Sequence, residues 1–269
     1  MHHKLFPILA AAGIIASFAF ICPKSNAQEL QNDARHSISV GAEGGWMWHQ
    51  QSGSFKSICG CGVYQSGKGN NGFGGLSVEF ELDKYLRFGL KFGLDSKSTT
   101  SSYSAKDTSF TVFDNDTKIS TVNLTHFMQG DISVTYLFVA PTVSITPFGF
   151  GFFIELSPEF GSLSNSNITS KRVLKNPIIL SNGDTVRDAR FQNGTLEEEL
   201  ENGPVRDVNK LRIALLFSAG YDIRFANNFS IVPEASYNLP LTNVAGSASS
   251  TDWKISSFGF GLGIKYRFD

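Results

Sequence analysis

The last twelve residues, FGFGLGIKYRFD (258–269), place Phe258, Phe260, Leu262, Ile264, Tyr266 and Phe268 at every even position, with only Gly, Lys, Arg and Asp between and after them. Strict period-two alternation is the mark of a β-strand with two unlike faces. In a water-soluble sheet the apolar face meets a core. Where the pattern recurs along a whole chain with few helical segments to cover the apolar faces, another medium must supply the apolar partner.

It recurs here. Ile38, Val40, Ala42, Gly44, Trp46 and Trp48 oppose Ser39, Gly41, Glu43 and Gly45. Leu76, Val78, Phe80 and Leu82 oppose Ser77, Glu79 and Glu81; after a tight Asp83-Lys84 turn, Leu86 to Leu94 on even positions oppose Arg87, Gly89, Lys91 and Gly93. A fourth segment (122–138) sets Ile132, Val134, Tyr136 and Phe138 against Asp131, Ser133 and Thr135. A fifth sets Phe148, Phe150, Phe152, Ile154 and Leu156 against Gly149, Gly151 and Glu155. Odd positions from Leu211 to Phe225 form the apolar face of a sixth, opposite Arg212, Ser218, Gly220, Asp222 and Arg224. Phe229, Ile231, Ala235, Tyr237 and Leu239 form that of a seventh, opposite Ser230, Glu234 and Asn238. With the terminal strand this makes eight segments.

The medium follows from what surrounds them. Residues 1–27 read as a secretory signal: Lys4, an apolar run from Leu5 to Ile21, and a small-residue cleavage site at Ser25-Asn26-Ala27. Without Lys4 and Lys24 the mature segment, 28–269, carries 21 basic against 24 acidic residues, a balance of −3 that suggests neither nucleic-acid binding nor a polybasic membrane patch. No later stretch reaches the roughly 18 apolar residues of a spanning helix. Connections after segments two, four and six (Asp83-Lys84, about 140–146, and 226–228) are short; the others are long and polar. Short turns on one side and long loops on the other is the layout of an outer-membrane barrel. The expected fold is therefore all-β: a transmembrane antiparallel up-and-down barrel of eight strands with long extracellular loops.

The chain resembles the eight-stranded outer-membrane β-barrel family that includes the OmpA-type transmembrane domain and small Bacteroidetes-like barrels. The resemblance rests on the signal segment, Pro147-Phe148-Gly149-Phe150-Gly151, Ile231-Val232-Pro233-Glu234-Ala235-Ser236-Tyr237 and the terminal Tyr266-Arg267-Phe268. It implies residence in the outer-membrane lipid, insertion by the barrel-assembly machinery through the C-terminal strand, and a monomer. Asp269 departs from it by following the aromatic on which that strand usually ends. The peptidoglycan-binding activity of longer relatives does not transfer.

Candidate chemistry is sparse. GVYQSGKG (62–69) nearly spells a phosphate loop, but Gly69 stands where Ser or Thr should be, so the stretch reads as a flexible loop. Cys59 and Cys61 form a candidate disulfide, strained by their one-residue spacer. His36, His49 and His126 read as girdle or interface histidines. Glu197-Glu198-Glu199 with Glu201, and Asp114-Asn115-Asp116, lack calcium-loop spacing and read as solvated surface. No catalytic, cofactor or metal site is assigned.

The inward parity is more informative. It collects Glu43, Glu79, Glu81, Asp131, Glu155, Asp222 and Glu234 against Arg87, Lys91, Arg212, Arg224, Lys265 and Arg267. In a barrel just wide enough for side chains to fill, near balance implies a salt-bridged plug. The hairpin register sets Arg87 opposite Glu81 or Glu79, and Lys91 within reach of Glu43, Asp131 or Glu234. The leading functional expectation is a structural or surface-interaction protein with an extracellular partner. The alternative is a narrow passage for small or apolar solutes, and an enzyme comes last. The stretch from Ser157 to Asn209 is expected as a long loop, with a hairpin at Ile178 to Val186 about an Asn-Gly turn and protease access at 196–202.

Overall fold

The structure is a computed structural model that describes residues 37–56, 63–114, 117–148, 150–174, 178–179, 185–186, 197–246 and 250–268. The leader, His36, Cys59 and Cys61 lie outside them.

Eight strands close a ring in which every neighbour is antiparallel: β1 (Ser37–Lys56), β3 (Gly67–Glu81), β4 (Leu86–Asp114), β5 (Thr117–Ile145), β6 (Phe152–Leu174), β10 (Leu211–Tyr221), β12 (Phe229–Pro240) and β13 (Ser250–Phe268), which returns to β1. Short pieces complete it: β2 (Val63–Tyr64) on β1, β9 (Glu197–Gly203) on β6, β11 (Ile223–Arg224) on β12, and a separate pair, β7 (Ile178–Ile179) with β8 (Thr185–Val186). Closure pairs the backbone of each strand on both sides, the condition for crossing hydrocarbon with sheet. The hairpin between β3 and β4 is fixed by Asp83, whose carboxylate accepts from Tyr85 N and Leu86 N at 2.6 and 2.8 Å.

A belt of outward apolar side chains girds the lower part. It runs through Phe88 to Leu94 on β4, Leu137 to Ile145 on β5, Ile154 to Phe160 on β6 and Phe258 to Phe268 on β13. Such an outward apolar band is the mark of an outer-membrane barrel. Phe148, Phe150, Phe225, Phe229, Tyr266 and Phe268 crowd the lower rim, and Trp46, Trp48 and Phe258 the upper one. The chain is an outer-membrane barrel.

Above Trp48, Leu94, Leu137 and Phe258 the strands continue without changing parity, but their chemistry inverts. On β5, Leu137 is 57% exposed, whereas Tyr136, Val134 and Ile132 on the other face are at most 2% exposed. The outward side now carries Thr135, Ser133 and Asp131, and Ser96, Ser98 and Thr100 on β4. Phe55, Tyr64, Met128, Ile132, Val134, Tyr136, Ile168, Trp253 and Ile255 fill the inside, joined by Val205, Val244 and Ala245 from the connections. Trp253 stacks on Phe55 at 4.5 Å, and Phe55 on Tyr64 at 4.9 Å. This head has the inside-out distribution of a soluble protein because its outside is water. Each such side chain contributes on the order of 1.5–3 kcal/mol by leaving water.

Several expectations are corrected here. The fourth segment was read with Ile132, Val134, Tyr136 and Phe138 facing lipid; they point inward, and Asp131 lies on the outer surface, taking bonds from Thr100 Oγ1 at 2.6 Å and Gln129 Nε2 at 3.1 Å. Pro147, Phe148, Phe150 and Gly151 belong to no strand but to the lower turn, and the turn expected at about 140–146 is mostly strand, since β5 persists to Ile145 and β6 begins at Phe152. The long loop after Ser157 is largely strand, because β6 runs on to Leu174 and pairs with β9. Residues 197–203, where protease access was expected, are thus tied into a ladder with β6. In the phosphate-loop look-alike, Val63–Tyr64 pairs with β1 and Gly67 opens β3.

Burial in the head raises the ionisation of the Tyr64 phenol above its ordinary value near 10. The unfolded phenol loses its proton first, so the head should hold its stability up to about pH 10 and lose it as pH rises through the higher folded value. Spectrophotometric titration of Tyr64→Phe against the parent checks this: the variant should lack one of the phenols that ionise above the ordinary value.

Candidate functional site

The lumen is a column of ion pairs in three layers. At the lower mouth, Arg87 reaches Asp222 at 3.2 Å and Glu81 at 3.4 Å, Arg267 meets Glu81 at 2.7 Å, and Lys265 meets Glu79 at 2.5 Å. Sequence places these groups directly: the Asp83-Lys84 turn sets Glu81 opposite Arg87. Ser37 Oγ donates to the other Glu81 oxygen at 2.8 Å.

At mid-depth Lys91 is the hub. Its Nζ lies 2.7 Å from Glu155, 3.3 Å from Glu43 and 3.4 Å from Glu234, and only 3% of its side chain is exposed. Ser144 Oγ donates to Glu155 at 3.0 Å. Of the partners expected for Lys91, Glu43 and Glu234 are present and Asp131 is absent.

The upper layer centres on Arg212. Its guanidinium forks onto Glu159 and the Asn238 carbonyl, reaches Asp95 at 3.0 Å, and lies over the Tyr136 ring at 5.4 Å. Lys97 binds Asp95 at 3.0 Å and donates to Ser257 Oγ at 2.7 Å, and His49 Nδ1 is 2.8 Å from the same oxygen. Replacing Arg212 by Lys keeps the charge but loses the planar fork. It should cost about 1.5–3 kcal/mol in urea unfolding, the scale of a hydrogen bond to a charged group.

Asp95, Lys97 and Glu159 escaped the sequence reading, which ended each strand where its apolar alternation ended, at Leu94 and Leu156. Continuing the odd positions from Arg87 and Lys91, and from Glu155, would have found them. His49 and His126 are not girdle residues; both are inward and at most 2% exposed. Arg224 stands exposed at the lower rim, outside the column. Glu197 and Glu198 pair with Lys171 at 3.4 Å and Arg172 at 3.1 Å on the head surface.

Among the described residues the column holds eight carboxylates against six cations. Loss of any cation therefore leaves acids facing acids. Beside Glu43, Phe73, Ser77, Glu234 and Lys265 a cavity of about 10 Å³ remains, room for about one water. Over the column sits the apolar head core. The arrangement ties facing strands of the wall to one another across the lumen.

No family model and no curated protein matches the chain. Among solved structures it is similar to the attachment invasion locus protein Ail of Yersinia pestis, with 13% identity over 87% of this chain and 99% of that one at a TM-score of 0.31. It is also similar to the N-terminal β-barrel domain of Pseudomonas aeruginosa OprF, with 11% identity over 88% and 100% at 0.33, and to CarO2 of Acinetobacter baumannii, with 12% over 87% and 100% at 0.35. At that level of similarity no residue role passes from them to this chain.

Proposed function

We propose that this outer-membrane barrel is a closed scaffold that presents a folded extracellular head for structural or surface-interaction work. The observation that carries the reading is the double closure of the lumen, by ion pairs through the membrane and by an apolar core above it. A passage would need a continuous polar path, and Phe55, Tyr64, Trp253 and Met128 stand across it. The partner is extracellular, the barrel is a monomer in lipid, and β13, with Tyr266 and Phe268 facing outward, is the strand offered to the assembly machinery.

The protein has no catalytic role in this reading. Ser257 and His49 lie within hydrogen-bond reach, but the Lys97 ammonium donates to the same serine oxygen, and the group is walled in on every side.

Single-channel recording of the purified protein in a planar bilayer tests the proposal: a flat baseline is expected, and reproducible conductance steps would overturn it in favour of solute passage. The same preparation should migrate faster on a gel before boiling than after, as a closed barrel resists cold detergent.

A further inference from the structure

Among the described residues the wall has one place inside the hydrocarbon where two facing strand positions both lack an N–H. Pairing between β5 and β6 lapses between Val139↔Phe160 and Val143↔Leu156, which sets Pro141 opposite Pro158. The direction of the backbone groups there follows from the strand ends. Thr146 N donates to Tyr85 O at 2.8 Å, so the even residues of β5 bond to β4 and the odd ones turn toward β6. Asp222 N donates to Gly151 O at 2.9 Å, so the even residues of β6 turn toward β5. Pro141 and Pro158 therefore face each other at a position that should carry two cross-strand bonds. Neither has an N–H, so both bonds are missing and two carbonyls point into the gap.

The depth matters. Ala140 is opposite Lys91, which puts the gap at the level of the mid-lumen hub, and Val139, Val143, Leu156 and Phe160 around it face lipid. Two other lapses show how such gaps are mended elsewhere. Between β3 and β4, at 69–72 and 96–99, Ser98 Oγ donates to Asn70 O at 2.8 Å and Asn71 Nδ2 to Ser96 Oγ at 2.9 Å, and the outward residues there are polar. At Pro233 the facing residue is Tyr221, which keeps its N–H. Beside the proline pair, the hydroxyls of Ser144 and Ser157 are directed to Glu155, at 3.0 and 3.5 Å. Behind it stand Ala140 and Thr142 on β5 and Ser157 and Glu159 on β6, all buried, and of these Ala140 and Ser157 are the small ones.

We propose that the Pro141–Pro158 seam is a lateral port, where the wall parts and the inner face at Ala140 and Ser157 becomes reachable from the bilayer by a slender membrane-dissolved molecule such as a straight alkyl chain. A ladder without its bonds in a medium without water is the place where local opening costs least. The port is a property of the wall and stands apart from whether the lumen conducts along its axis.

The test uses full-length protein in lipid vesicles with Cys22, Cys59 and Cys61 replaced by Ser. Ser157→Cys is compared with Ser218→Cys, an inward buried site on β10 whose ladders to β6 and β12 are unbroken. An alkyl maleimide dissolved in the bilayer should label the cysteine at 157 about tenfold faster than that at 218, in line with a lower local opening cost. The advantage should vanish when Pro141→Val and Pro158→Val restore both N–H groups. Pro158→Ala, restoring one of them, should halve it or more and serves if the double variant does not assemble. Equal rates at 157 and 218, rates indifferent to the prolines, or faster labelling by a charged water-soluble maleimide would each overturn the port.

Discussion

Lys91→Glu should be the most damaging single substitution in the barrel, leaving little heat-resistant species and a urea midpoint far below that of the parent. The ammonium it removes is shared by Glu155, Glu43 and Glu234, and the new carboxylate arrives among those three. Stripping one partner from a buried ion pair costs about 3–5 kcal/mol because the remaining charge has no compensation. Here three charges are stranded and a fourth is added, with protonation or water entry as the only relief. Urea titration in detergent, followed by gel mobility without boiling, reads the loss, and a cation leak at low salt should accompany it. Exchanging the hub with its nearest partner, Lys91→Glu with Glu155→Lys, should recover much of the stability. A single variant that melts like the parent and conducts no better would show that the charges are not coupled.

Trp253→Ala should undo the head while sparing the membrane ring. Trp253 is fully buried and stacked on Phe55, which in turn stacks on Tyr64. Removing the indole leaves a void in the middle of that pile, a change that costs about 3–5 kcal/mol in well-packed cores. The head has a modest core of its own, so this is a large share of its stability, whereas the lower ring is held by its own strand pairing, its ion-paired column and lipid. Limited proteolysis of intact vesicles should therefore cut the variant in the head and leave a membrane fragment that still shifts on boiling. Equal resistance of parent and variant would mean that the stack does not hold the roof.

The contrast between Leu137 and Val134 shows how far the sequence could be read. Inside the bilayer one face of each strand must be apolar, so period-two alternation located the lipid face of seven strands, and Asp83 with Lys84 fixed the register of the second and third; the lipid face of the fourth, Leu137 to Ile145, was missed because Ala140 to Thr146 reads as a turn. Three residues above Leu137 the same rule misleads. Val134 and Ile132 are apolar because they face away from water, and Asp131 is polar because it faces toward it. No local pattern marks where lipid stops, since the backbone crosses that boundary without a break. The same blind spot hid Asp95 and Lys97, which lie just past Leu94, whereas Glu159 was hidden because Pro158 interrupts the apolar alternation between Leu156 and Phe160. Phe148 and Phe150 misled in the opposite direction: they alternate like a strand but belong to a turn whose aromatics rest at the lower rim.

The unbroken passage of β4, β5 and β13 from the lipid belt into the head also constrains how such a chain tolerates insertions and deletions. Adding or removing a single residue below the boundary swaps the two faces of everything beyond it, turning Val134, Ile132 and Met128 out to water and Thr135 and Ser133 into the core. Adding or removing two keeps every side chain on its face and merely slides the boundary by one pleat, exchanging a Leu137-like position for a Thr135-like one. Length variation among descendants of this chain should therefore come in pairs within the strands, with odd changes confined to the turns or absorbed by bulges such as the one between Ser52 and Ser54. The barrel can thus grow or shrink its head over evolutionary time in quanta of two residues per strand without redesigning its core.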